Sequence, residues 1–135
     1  MKPTELSELM LQSAKDAVSY ALEDHQVTLD LSLESLPLVD VLLSSVAHQQ
    51  QKQRLSDEHM FALCNIFGAY LGQVFISVVG GEWVHQTGDE SAPYVSLNYN
   101  NKEFPLASLV YHKVTKNPDL SVNEYIRQAI SNAMQ

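Results

Sequence analysis

From Met60 to Val79 the chain carries no charged residue: MFALCNIFGAYLGQVFISVV. A bilayer-spanning helix needs about twenty mostly apolar residues, and the central helix of a small globular core has the same look. Three features favour a buried core helix. Asn65, Gln73 and Ser77 interrupt the run and need hydrogen-bond partners that lipid does not supply, and Gly68 and Gly72 break it further. The other segments carry apolar stripes that must pack on something, and this run is the only one large enough. No aromatic belt or basic cluster marks one end, where only Lys52 and Arg54 lie nearby. A globular domain without membrane association is therefore expected.

A chain of 135 residues has the usual size of one domain and buries about two-thirds of its unfolded surface. One domain over 1–135 is expected, helical over about 1–80, with a hairpin and closing helices over about 81–135. The hydrophobic share of 45% against 18% charged residues places it among folded rather than disordered chains. Sixteen acids against eight bases leave a net charge of −8. That balance disfavours nucleic acid and anionic membranes as partners, since both need a basic patch, and neither is expected. It suits a basic protein partner, although ordinary cytoplasmic bacterial domains are often acidic as well. Cys64 is the only cysteine, so no intramolecular disulfide forms, and it reads as a small buried hydrophobe. The start, MKPTELSEL, lacks a signal-peptide apolar stretch, which makes the cytoplasm the default location.

Thr4 to about Asp24 reads as an amphipathic helix with Leu6, Leu9, Met10, Ala14, Ala17, Val18, Ala21 and Leu22 on one stripe and Thr4 as its cap. Val27, Leu29 and Leu31 alternate with polar residues and suggest a short strand. A second helix is expected over Ser35 to Gln53, with Leu36, Val39, Leu43, Val46 and Ala47 inward and the polar tail AHQQQKQR fraying into a linker. Ser32 or Ser35 caps it, and Pro37 fits the first turn if Ser35 does. Ser56 or Asp57 starts the third helix, and Gly80-Gly81 ends it. Gly68 and Gly72 share a face of that helix and let a neighbour approach closely.

The rest changes character. Glu82–Gln86 and Tyr94–Tyr99 read as strands, with Thr87 to Pro93 as a loop. Asn100-Asn101 makes a two-residue turn to a return strand over Lys102–Phe104. Pro105 opens a fourth helix over Leu106 to about Thr115, and Asn117-Pro118 breaks it. Ser121 caps a last helix, with Glu124 completing a capping box and Val122, Tyr125, Ile126, Ala129, Ile130 and Ala133 inward. The fold class is α+β, with four to five helices packed on a small antiparallel sheet.

The stretch FGAYLGQVFISVVGGEWV resembles the signature of a family of small bacterial domains, Gly-Ala-Tyr-aliphatic-Gly-Glu followed by Gly-Gly-x-Trp. LDLSLESLPLVDVLL is similar to that family's leading strand and helix start, and NNKEFPLASLVYHKVTKNPDLSVNEYIRQAI to its closing hairpin and helices. The likeness runs from about Leu29 onward and rests on structural glycines and aromatics. The family has no settled biochemical activity, so the resemblance implies a fold and no reaction. Where the family has Glu, this chain has Gln73. An acid–base role would be lost by that change, whereas a hydrogen bond to a backbone group or to the Trp would survive it.

No histidine among His25, His48, His59, His85 and His112 stands at a metal-ligand spacing to another, and no Cys-x-x-Cys occurs. No metal, cofactor or catalytic residue is assigned. Burial in an apolar helix leaves Cys64 inert as a nucleophile. Glu82, Trp83 and His85, after the two glycines, form the most suggestive polar cluster, with Asp89 and Glu90 in the next loop. A binding pocket there would use Trp83 as a wall and Glu82 as an anchor, with Tyr94 and Gln73 nearby. The plainer arrangement has Trp83 filling the sheet–helix core while Glu82 and His85 face water. His112, Lys113 and Lys116 read as a small basic patch complementing the dipole of the fourth helix.

These features point to a non-enzymatic cytoplasmic protein-interaction domain. The alternative is a small-molecule-binding protein or enzyme with a pocket near Gly81, Glu82, Trp83 and the Tyr94–Tyr99 strand. A chaperone-like acidic homodimer is a third reading, because the Leu-rich second helix and Tyr-rich hairpin would offer apolar area.

Overall fold

Ser56 starts the central helix, α3 (Asp57–Val78): its Oγ accepts the backbone N–H of His59 at 3.1 Å, and Asp57 and Glu58 sit in the positive first turn. The computed structural model describes residues 2–88 and 94–135. Before α3 come α1 (Pro3–His25), a 3-10 turn at Leu33–Ser35, and α2 (Leu36–Lys52). After it come β1 (Glu82–Gln86), β2 (Tyr94–Tyr99), β3 (Lys102–Phe104), α4 (Leu106–Thr115) and α5 (Val122–Ala133). The class is α+β: among the described residues, five α-helices and one three-stranded antiparallel sheet in the order β1-β2-β3.

By length and composition α3 is apolar enough to cross a membrane, yet 56% of its apolar window is buried within the fold. Its buried side chains, from Met60 through Phe67 and Tyr70 to Phe75, meet α1, α4 and α5, and Phe75 reaches the sheet. The two glycines decide how close those neighbours come. A Cβ on Gly68 would stand 2.8 Å from the Ala107 backbone nitrogen, so α4 crosses α3 at that point. A Cβ on Gly72 would fall inside the Trp83 ring. Gly80 and Gly81, at φ 113° and 119°, turn the chain from α3 into β1.

The sheet follows from alternation and one turn. Asn100 and Asn101 take φ 51° and 65°, the two left-handed positions of a tight hairpin. Pairing of Trp83 with Leu97, His85 with Val95, and Leu97 with Phe104 puts these residues on the inner face. Phe75 of α3 meets Tyr99 and Phe104 there, with ring centroids 5.8 and 5.5 Å apart. On the outer face Gln86 donates to Ser96 Oγ, which donates to Asn98.

Several local expectations give way to tertiary context. The segment Val27–Leu31 pairs with no strand and is irregular, with Leu31 at φ 64°. Its side chains keep the alternation, Leu29 buried and Val27 and Leu31 half-buried, because α3 fixes the segment by one side chain. The Tyr70 hydroxyl accepts the Leu31 N–H at 2.9 Å and donates to Ser35 Oγ, which donates to the Ser32 carbonyl at 2.6 Å. Of the two expected caps, Ser32 and Ser35, it is Ser35 that takes the N-cap position of α2, but it spends its hydroxyl in this hydrogen-bond chain and not on the helix. Tyr70→Phe would leave the Leu31 amide unpaired and is expected to cost about 1–3 kcal/mol in urea unfolding. An unchanged midpoint would show that water replaces the phenol.

Thr4 lies inside α1 rather than capping it, since Pro3 is already helical and Lys2 takes the cap position. Leu9 and Leu22 belong to the α1 stripe by spacing but are exposed. The polar tail of α2 does not fray; the helix runs to Lys52.

The basic patch at the end of α4 is not a patch. Lys113 is 2% exposed. Its ammonium donates to the carbonyls of Pro118 (2.7 Å) and Leu120 (2.5 Å) and lies 3.5 Å from Asp40 of α2. Asp40 in turn accepts the Val122 and Asn123 amides at 2.7 and 3.1 Å and the Ser121 hydroxyl at 2.8 Å. A carboxylate distant in sequence thus caps α5 beside the expected Ser121 Oγ cap on Glu124.

Candidate functional site

Trp83 occupies the crossing of sheet and α3. It is 6% exposed and lies against Gly72, and its indole N–H donates to Gln73 Oε1 at 2.9 Å. Gln73 therefore has the hydrogen-bonding role toward the Trp, which needs an acceptor and no ionisable group. Gln73 and Trp83 form a positioned pair whose other side is the wall of a groove.

That groove encloses about 700 Å³ between α1, α3, α4 and the start of the sheet. Its floor is built from small residues where α4 crosses α3: Gly68, Ala69, Ala107 and Ser108, with Ser13 from α1. Met10, Met60, Cys64, Trp83 and Val95 form apolar walls. Leu9, Phe61 and Tyr111 stand at the rim, 49%, 71% and 48% exposed. Large apolar side chains so exposed around one concavity are uncommon in a protein that leaves its surface bare. Among the described lining residues Asp57 is the one carboxylate and His85 the one imidazole, and Arg54 lies 3.3 Å from Asp57.

The residues singled out in the sequence divide. Trp83, His85 and Tyr94 border the groove. Tyr94 does so where β2 begins, but its hydroxyl donates to Glu103 along the outer face of the sheet. That bond to a carboxylate raises the Tyr94 pKa above the ordinary phenol value. Glu82 does not join them: strand alternation turns it to the face opposite Trp83, where it is exposed, so it anchors nothing in the groove. Gln73 touches the groove only through Trp83. Gly81 packs beneath Asn98, Leu97 and Tyr99 and is not part of the lining. Asp89 and Glu90 lie outside the described residues.

The groove walls from α1, α3 and α4 were not legible as a site. Their one available signal was excess: Leu9 beside Met10, and Phe61 off the buried stripe of α3, are apolar residues beyond what the core needs. Cys64 lies in the wall, and burial pushes its thiol up to about 12, far from a thiolate nucleophile at neutral pH. Among the described residues no three His, Cys, Asp or Glu side chains converge in a metal-binding arrangement. A second, more open depression of about 810 Å³ lies between β3 and α5, where Phe104, Leu120 and Tyr125 stand among Glu124, Arg127, Gln128 and Asn132.

The chain matches no family model, and no curated protein or solved structure matches it.

Proposed function

We propose that this chain is a non-enzymatic, cytoplasmic protein-interaction domain, and that the groove between α1, α3 and α4 receives an apolar segment of another protein. The observation that carries the reading is the rim: Leu9, Phe61 and Tyr111 remain exposed around a preformed apolar concavity. Aromatic residues beside a buried apolar centre are the usual anchors of protein interfaces.

The test places a photo-crosslinking amino acid at Phe61 and, separately, at Val41, an exposed apolar residue of α2 outside the groove. Irradiation in the native host is expected to give a discrete polypeptide adduct at position 61 and none at 41. No adduct at 61, or equal adducts at both, overturns the reading. A volume of about 700 Å³ also lies within the range of small-molecule sites, which favours ligand binding as the second reading. Native mass spectrometry separates the two, because an added mass of a few hundred daltons lost on Phe61→Ser would establish the ligand.

A further inference from the structure

Resting on that reading, we propose that the occupant of the groove is an amphipathic helix of a partner protein, with a bulky apolar anchor on its inward face and basic residues along its flanks.

Charge around the rim selects the flanks. Leu9 lies one turn beyond Glu5 on α1, and Phe61 lies one turn beyond Asp57 and Glu58 on α3, so two of the three exposed rim residues share a helix face with a carboxylate, while Tyr111 stands between Ala107 and Thr115 on α4. Arg54 already pairs with Asp57. A chain of net charge −8 presents these acids to an incoming partner and draws basic segments toward this edge. A second copy would set the same acids against each other, which disfavours self-pairing through this groove.

Shape selects a helix. The absent Cβ of Gly68 lets the α4 backbone at Ala107 cross close to α3, and Gly68, Ala107 and Ser108 line the groove beside that crossing. A further helix can lie against such a surface with its axis close to its neighbours and its anchors spaced i, i+3 or i+4, and i+7. Met10, Met60 and Cys64 beside Trp83 give a polarisable wall that adapts to a bulky anchor.

The test is selection of a random linear peptide library on the intact chain, run in parallel on the Phe61→Ser and Tyr111→Ser variants. Peptides with helical apolar spacing and Lys or Arg flanks are expected to enrich on the parent and not on the variants. Replacing their basic residues by Gln is expected to weaken binding about fivefold or more, a difference that shrinks in high salt. Enrichment of groove-dependent peptides that are neutral, acidic or extended overturns the helix proposal while the interaction reading stands. Crosslinks at position 61 joining two copies of this chain also overturn it. Groove-independent peptides or none, together with no crosslink at 61, overturn both.

Discussion

Asp40→Ala is expected to destabilise the fold by about 3–5 kcal/mol, because it leaves the buried Lys113 ammonium without its counter-charge and the first turn of α5 without its cap. For a chain of this size that is a fall of roughly 10–15 °C in Tm. Two substitutions separate the parts of the effect. Asp40→Asn keeps an acceptor for the α5 amides but removes the charge. Lys113→Met removes the ammonium and leaves the Pro118 and Leu120 carbonyls without their donor. The double variant Asp40→Ala with Lys113→Met is expected to lose less than the sum of the singles, because the unpaired charge no longer exists. Additive losses would show that the two side chains act independently despite their 3.5 Å separation.

Trp83→Ala is expected to cost about 3–5 kcal/mol by opening a cavity between sheet and α3. It also removes the donor to Gln73 and the inner wall of the groove. Circular dichroism is the suitable readout, since Trp83 is the only tryptophan and its loss abolishes indole fluorescence. Trp83→Phe retains most of the apolar volume and loses the indole N–H, so it should cost less. A Trp83→Ala variant that melts with the parent would show that Trp83 is peripheral. Because this change alters the fold as well as the groove, exposed Phe61 is the better residue for testing binding.

Much of the architecture was written in local pattern. The strands lie at Glu82–Gln86, Tyr94–Tyr99 and Lys102–Phe104 as expected, the second from its alternation and the third from the Asn-Asn turn, whose two left-handed residues set the register of β2 on β3. Capping by Ser56 and Ser121 and the glycine pair after α3 mark helix ends by chemistry confined to a few residues. The close approaches at Gly68 and Gly72 were also legible, although which neighbour filled each was not.

The failures share one cause. Alternation at Val27–Leu31 describes which side chains are buried, and a strand additionally needs a partner, which this segment lacks. Lys113 sits near a helix end like any dipole-complementing lysine; its burial depends on carbonyls after the helix and a carboxylate on α2. Glu82 and Trp83 are adjacent in sequence and therefore on opposite faces of β1, so proximity along the chain separated the pair it suggested.

By itself the sequence determined the α+β class, the strand boundaries, the glycine-permitted contacts and the net acidity, because each depends on local conformation or composition. Only the tertiary structure decided that Lys113 is internal, that Gln73 orients Trp83, and that Leu9, Phe61 and Tyr111 surround one groove. Those outcomes depend on which helix faces meet, and that is settled by packing between segments far apart in the chain.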